Sequence, residues 1–292
     1  MRTVTSASLD AWLDSALPFL TRREAAHAAM LASALNYARP ARADLLAPEV
    51  AGRSPAVVPP GTRGVLVEDA GVVVGAALLT HGFLLLSEMP TEAARRMGRD
   101  FTPSEPPQAV QGPREVVEAF GSAAAVGWTE GQVTQVFARR TPFLTQDPTG
   151  RRREAREEER EVLVGWMLDF ARGNLRAGVT RDAAARMLDG HLRQGEVHVW
   201  VVEDEPRAMA VTTAATATGV SVTGMYTPPE WRRSRVMVGF VRALHNHLLA
   251  SGWAFTYFLT TQGSAVSRAV DALGGYEEVT RTVEARLEPP RG

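Results

Sequence analysis

The stretch that decides the fold is Val220-Ser221-Val222-Thr223-Gly224-Met225-Tyr226-Thr227-Pro228-Pro229-Glu230-Trp231-Arg232-Arg233-Ser234-Arg235. Val220 to Thr227 reads as a strand, and Pro228-Pro229 ends it because proline has no N–H to give to a ladder. From Val236 to Ala250 the apolar residues Phe240, Leu244 and Leu248 fall on one helical stripe, with Gly252 past the end as a stop signal. Trp253 to Leu259 is a buried strand, Ser264 to Leu273 a short helix, Gly274-Gly275-Tyr276 a turn, and Val279 to Leu287 an alternating last strand. Strand, loop, helix, strand, helix, strand makes an α/β unit whose first helix begins just beyond a strand end. Free backbone N–H groups and the helix dipole make such a terminus an anion site.

Upstream, Val197 to Val202 and Ala208 to Thr213 form a strand pair around Glu203-Asp204-Glu205-Pro206. Alternation puts His198 on the same face as Trp200, opposite Val197 and Val199, where a satisfied sheet histidine outweighs a catalytic base. Val162 to Phe170 and Arg181 to Gln194 read as helices. The almost wholly charged run from Arg151 to Glu161 reads as a solvated helix laced with Glu–Arg pairs, each worth ~0.2–0.5 kcal/mol.

The first half has its own pattern. Leu9 to Leu35 fits two amphipathic helices, with Thr21 capping the second and Glu24 completing a capping box. Pro40 to Gly64 reads as a long loop. Val65 to Val67 and Val72 to Leu79 around Asp69-Ala70-Gly71 read as a hairpin, with a third strand at Phe83 to Ser87 and a helix from Thr91. Pro103 to Pro113 is a loop or crossing segment, Glu115 to Ala125 a helix, and Val133 to Phe143 a strand. The turn composition of Gln146 to Gly150 marks a domain boundary, dividing the chain into residues 1–149 and 150–292.

Composition narrows the chemistry. The 292 residues are 45% hydrophobic and 22% charged, enough for a packed core. Net charge is −1, so no broad basic field is available for nucleic acid or an anionic membrane. There is no cysteine and, among the 32 basic residues, no lysine. Disulfides, thiolate zinc, thiol nucleophiles, Schiff-base lysines and a Walker-type lysine are therefore excluded. No run of about 18 uncharged apolar residues and no apolar signal core is present, so a cytoplasmic protein is expected. The Ala, Arg, Gly and Val usage reads as bacterial coding bias. His245 and His247 lie at i and i+2 of one helix and point to different faces, and no metal is expected.

Met225 to Arg232 resembles the Y-T-P-P-E-Y/W-R string of bacterial two-domain members of the GNAT (Gcn5-related N-acetyltransferase) superfamily, with the following helix, strand and Gly275-Tyr276 at the family's spacing. The resemblance covers about Gly150 to Glu288. The first half is similar, more weakly, to the divergent GNAT-like half of such proteins. It implies an α/β GNAT fold, a mixed sheet flanked by helices, preceded by a GNAT-like half that has no pyrophosphate loop and a structural or substrate-walling role. It also implies acyl transfer from acetyl-CoA to a small amine. On that resemblance Met225, Tyr226 and Thr227 hold the pantetheine arm. Arg232, Arg233, Ser234, Arg235, Val236 and Met237 wrap the pyrophosphate, and Ser264 stands where the family has Asn.

The sequence departs from the family pattern at decisive places. Arg235 stands where the motif has glycine, Met237 where it has Gly or Ala, and Arg233 where many relatives have Gly. Glycine serves there because backbone must approach phosphate without a Cβ in the way. Asp271 takes the place of the family's acid Tyr, and Glu230 borders the cleft as a candidate base. Three readings stay open: an N-acyltransferase-like protein with a remodelled donor site, a catalytically silent subunit or binding module, or an enzyme repurposed for another anionic donor. The arginines either grip an anion through their side-chain forks or fill the vacated pocket. The bland alternative is a solvated loop paired to Glu230. The partner is a small amine or another protein chain, with an oligomer left open.

Overall fold

The computed structural model describes residues 1–53, 55–101, 107–124, 127–144, 149–174, 178–232 and 234–287. The chain opens with strand β1 (Arg2–Thr5), helices α1 (Leu9–Leu20) and α2 (Ala28–Tyr37), and a single turn, α3 (Pro48–Ala51). A meander of β2 (Arg63–Asp69), β3 (Val72–Thr80) and β4 (Phe83–Leu86) passes through α4 (Thr91–Asp100) to β5 (Ala109–Gly112), α5 (Arg114–Ala124) and β6 (Trp128–Arg139). Next come β7 (Arg151–Glu154), α6 (Arg160–Asn174), α7 (Arg181–Leu192), β8 (Val197–Val202), β9 (Glu205–Thr213) and β10 (Gly219–Tyr226). The chain finishes with α8 (Val236–Ala250), β11 (Phe255–Thr261), α9 (Ala265–Leu273) and β12 (Glu277–Leu287). Among the described residues no helix is long and apolar enough to cross a membrane.

Two compact units result. One comprises Met1–Ala138, Ala214–Gly219 and Leu259–Gly292; the other comprises Arg139–Thr213 and Val220–Phe258. Both are therefore built from separated chain segments, whereas the division expected from sequence is a single break at 149/150. The first groups residues that pack together, the second follows turn composition along the chain. Of the expected boundary turn, Gln146, Asp147 and Pro148 lie outside the described residues.

In the first unit the strand order is β1-β2-β3-β4-β5-β12-β6. β4 and β5 run parallel, Leu85 opposite Gln111, because the helical crossover α4 returns the chain in the same sense. β12 lies antiparallel between β5 and β6, so the last strand of the chain completes this sheet. Val65, Val67, Leu84, Val110 and Val283 face Met97 of α4 and Val116, Val117 and Phe120 of α5 in one core. The alternate face is covered from α1, where Trp12 is fully buried over Gly64 and its Nε1 donates to the Val65 carbonyl at 3.2 Å. The β2–β3 hairpin turns through Ala70 (φ 48°) and Gly71 (φ 80°), the positive pair its sequence announced.

The second unit has strand order β11-β10-β9-β8-β7, with the Phe255–Phe258 part of β11 belonging to it. Val197, Val199 and Val201 of β8 pack with Leu163, Val164 and Met167 of α6 and Leu188 of α7. His198 and Trp200 point to the other face, where Trp200 meets Phe240 of α8 at 6.0 Å between rings. The alternation read from sequence is what places them there.

Some expectations are corrected. Arg151 to Glu161 is not one solvated helix: Arg151–Glu154 is strand β7, paired antiparallel to β8 with Arg152 opposite Trp200, and a 3₁₀ turn at Glu157–Glu159 precedes α6. The exposed ladder of β8 offers hydrogen bonds that an isolated charged helix lacks, and arginines suit an edge strand. Thr21 closes α1 rather than opening α2, its hydroxyl donating to the Leu17 carbonyl at 2.8 Å. Glu24 completes no box; its buried carboxylate accepts from Thr216 Oγ1 and Thr218 N, both at 2.6 Å, and Thr218 Oγ1 at 2.9 Å. The proline-rich segments hold short elements, α3 and β5.

A Cβ added at Gly64 would lie 2.0 Å from Trp12 Cγ, inside a packed core. Gly64→Ala is expected to lower stability by about 1–3 kcal/mol. A urea titration followed by fluorescence and circular dichroism measures this, with an unchanged midpoint counting against the packing described.

Candidate functional site

The site read from sequence is built on the end of β10. Three residues of β10, from Thr223 to Tyr226, advance against two of β9, because Thr223 pairs with Val211 and Tyr226 with Met209. The extra residue is a bulge. Gly224 carries it at φ +58°, and a Cβ there would come within 2.9 Å of Val211 Cγ2. Glycine is required on both counts.

Beyond the bulge Tyr226 turns into the core under α6. Its hydroxyl donates to Asp169 Oδ2 at 2.8 Å and its ring lies 5.9 Å from that of Trp166. Burial, then the bond to Asp169, pushes the phenol above its usual range, so Tyr226 keeps its proton. Met225 and Thr227, its neighbours, are half-buried. Thr227 Oγ1 is inaccessible and has no hydrogen-bond partner among the described residues. Pro228 then starts a 3₁₀ turn over Pro229–Trp231, and Trp231 is held under the Arg207 guanidinium at 4.6 Å. Glu230 is exposed on this turn.

Arg232 folds back on the strand it follows. Its Nε donates to the Thr227 carbonyl at 3.0 Å, and its guanidinium lies over the Tyr226 ring at 5.6 Å. The pairing with Glu230 expected for a solvated loop does not form among the described residues. Arg233 lies outside the described residues. Ser234 donates its hydroxyl to the Trp231 carbonyl at 2.6 Å, closing the turn.

Arg235 is the N-cap of α8 and makes no side-chain capping bond, and the first turn holds no acidic residue. Its side chain is exposed and has no ion-pair partner among the described residues. Val236 is buried and Met237 half-buried as the helix begins. Ser234 Oγ accepts from Val236 N at 3.4 Å, so the 15-residue helix begins with its first N–H engaged at long range, the cap residue itself making no capping bond, and a cation beside it. Its chemistry is that of an anion receiver.

Met225 to Met237, apart from Arg233, thus stand together in one unit. Ser264 and Asp271 belong to the other compact unit. Ser264 is the N-cap of α9, its Oγ accepting from Ser267 N at 3.1 Å, so the hydroxyl is engaged in capping. Asp271 is exposed in the last turns of that helix.

No protein-family model matches the sequence, and no curated protein sequence matches it. Solved structures do match in fold. A GCN5-related N-acetyltransferase from Sphaerobacter thermophilus superposes with TM-score 0.57 at 14% identity, covering 97% of this chain and 95% of that one. A GNAT-family acetyltransferase from Colwellia psychrerythraea gives 0.55 at 11% identity, covering 99% and 100%. A tandem GNAT protein from the clavulanic acid biosynthesis pathway gives 0.50 at 12% identity, covering 100% and 99%.

The chain has the GNAT fold. The likeness extends over its whole length, and the tandem GNAT structure accounts for two halves, as the sequence pattern implied. At these identities the likeness speaks for the fold alone.

Sequence reasoning missed Asp169, the partner of Tyr226. The signal was present: Asp169 is the one charged residue in the apolar stretch Val162 to Phe170, three positions after Trp166. The histidines settle as framework. His198 is buried, with Nδ1 3.1 Å from Arg152 Nη1 and Nε2 3.4 Å from Thr212 Oγ1. Burial, then Arg152 and His247, hold it down to about 3. His245 is buried between Thr256 Oγ1 at 2.7 Å and the Thr141 carbonyl at 3.0 Å. Burial takes it to about 4, with the Thr141 carbonyl opposing and Arg139 assisting. His247 points instead toward His198, their rings 6.2 Å apart, so the two helix histidines do face different ways.

Both buried histidines are neutral in the fold and take up protons once unfolded, below about pH 6.5. The unfolded state then binds more protons, so stability is complete above pH 6.5 and falls as pH drops toward 4. Each contributes up to about 1.4 kcal/mol per pH unit. His198→Gln and His245→Gln are each expected to make the acid slope of unfolding free energy shallower by about one proton. An unaltered slope in either variant contradicts the neutral assignment.

Proposed function

We propose that the chain is an acyl-CoA-dependent N-acyltransferase-like protein of GNAT type, acting on a small amine through a remodelled donor site. The carrying observation is the N-terminus of α8, its first N–H held only by Ser234 Oγ at 3.4 Å, with Arg235 exposed beside it and no acid in its first turn. In this reading the first-turn N–H groups and the Arg235 fork together hold the donor's diphosphate, the side chain doing what bare glycine backbone does elsewhere. The charge of the residues present fits such a group: two cations, Arg232 and Arg235, and no acid in the first helical turn. An acyl-CoA thioester, when bound, supplies an activated carbonyl. Met225 and Thr227 offer the strand edge along which its arm lies, while Tyr226 and Asp169 anchor that edge from below.

In this reading Glu230, exposed on the turn between strand and helix, accepts the proton of the attacking amine. On the resemblance alone, Asp271 takes the place of the family's acid Tyr and Ser264 that of its Asn. Holding amine and acyl donor together supplies most of the rate.

A second reading has its own support. Arg232 Nε occupies the Thr227 carbonyl, a group that a pantetheine arm would otherwise bond. That contact favours an occluded site, and with it a catalytically silent subunit that meets a protein partner. Titration calorimetry with acetyl-CoA separates the readings. Micromolar binding, weakened about tenfold in Arg235→Gln, supports the side-chain grip. No binding to the native chain, with binding gained in Arg232→Ala, supports occlusion. Where acetyl-CoA binds, acetyl transfer to a panel of small amines is expected, lost in Glu230→Gln.

A further inference from the structure

We propose that the first compact unit carries a ligand cleft of its own, which takes a short neutral molecule with an aliphatic body and an amide or alcohol end. The cleft lies between the start of α2 and the sheet face opposite α4 and α5, with about 30 Å³ open to the centre of a water-sized sphere. By that measure one water needs roughly 10–15 Å³, so the cleft has room for a small group of two or three water-sized parts.

What distinguishes this face is its chemistry. Val110 and Val283 point to the α4–α5 core, whereas their neighbours Gln111 and Thr282 point into the cleft. Thr134 of β6 stands directly opposite Thr282 in the ladder and adds a third polar group. A sheet face under a helix is ordinarily apolar, because an unpaired buried hydroxyl or amide is costly. Here three strands in a row break that pattern.

Their hydrogen-bonding capacity is only partly used. Gln111 Nε2 donates to Thr282 Oγ1 at 3.2 Å. Gln111 Oε1 and Thr134 Oγ1 have no partner among the described residues. One acceptor and one hydroxyl therefore face the cleft, a match for a group that both donates and accepts, as a primary amide or an alcohol does. Met30, Leu85, Val136 and Leu259 supply apolar walls for the aliphatic part.

The lining has two ionisable groups, His27 and Glu88, and the charge of Glu88 is met by Arg23 from outside it. His27 Nδ1 donates to the Leu20 carbonyl at 2.9 Å and Nε2 accepts from Glu88 N at 3.2 Å, so both ring nitrogens are engaged and burial keeps the ring neutral. The Glu88 carboxylate is already bonded by Arg23 and by Thr280 Oγ1. An anion would meet no cation in the lining, and an ammonium would have to displace Arg23 from Glu88, so either is desolvated at a cost.

The test uses the full chain with methyl-labelled Met and Thr, titrated with butanamide, butanoate and butylammonium. Butanamide is expected to give saturable NMR shifts at the Met30, Thr134 and Thr282 methyls, and the two ions none. Thr134→Val is expected to weaken butanamide about two- to tenfold, with Thr134→Ser restoring it. Leu85→Trp, which fills the cleft from the sheet, is expected to abolish the shifts. No saturable shift at these methyls, an equal response to the ions, or undiminished binding in Leu85→Trp overturns the proposal.

Discussion

Both faces of each sheet must be taken out of water, and the rest of the architecture follows from that. Strand β8 is the clearest case, with Val197, Val199 and Val201 packed under α6 and α7 and Trp200 packed under α8. A strand apolar on both sides is stable only between two helical layers. In the first unit the same demand places α4 and α5 over one face and Trp12 of α1 over the other. The Glu24 carboxylate then ties the Thr216–Thr218 turn into that unit through hydrogen bonds, because a buried carboxylate needs donors.

Within this frame the end of β10 is specialised by a single residue. Gly224 adopts a left-handed conformation and adds one residue to the strand, which turns Tyr226 toward Asp169 and leaves the Thr227 carbonyl to Arg232. The chain then reaches the start of α8, where Ser234 Oγ accepts from Val236 N at 3.4 Å. The charges gathered here are few: one helix end, Arg232 and Arg235, with Glu230 exposed on the turn before them, in a chain of net charge −1. Arg232 and Arg235, three positions apart, have opposite fates. Arg232 has an aromatic ring and a carbonyl within reach and lies down on them; Arg235, at the head of the helix, has no such surface.

Much of this was legible in the residues. Pro228-Pro229 after an apolar run, the stripe Phe240, Leu244 and Leu248, and Gly252 beyond it correspond to β10 and α8 closely, since strand ends and helix stops are local events. Arg151 to Glu154 was misread because the competing force is not local. Its charges favour a solvated helix, yet the unpaired edge of β8 captures it as a strand, a partner far along the chain. The apparent capping box at Thr21 and Glu24 failed similarly: Glu24 found better donors nearly two hundred positions away.

By itself, then, the sequence determined the elements and the faces they present, because periodicity, proline and glycine act over a few residues. It also determined what chemistry is absent, since no cysteine or lysine exists to perform it. Only the tertiary structure decided that β12 completes the first unit's sheet between β5 and β6, that Tyr226 is anchored by Asp169, and that Gln111, Thr134 and Thr282 line one cleft. Those are meetings of residues distant in the chain. Their outcome depends on which surfaces are left to be covered once the local pieces have formed.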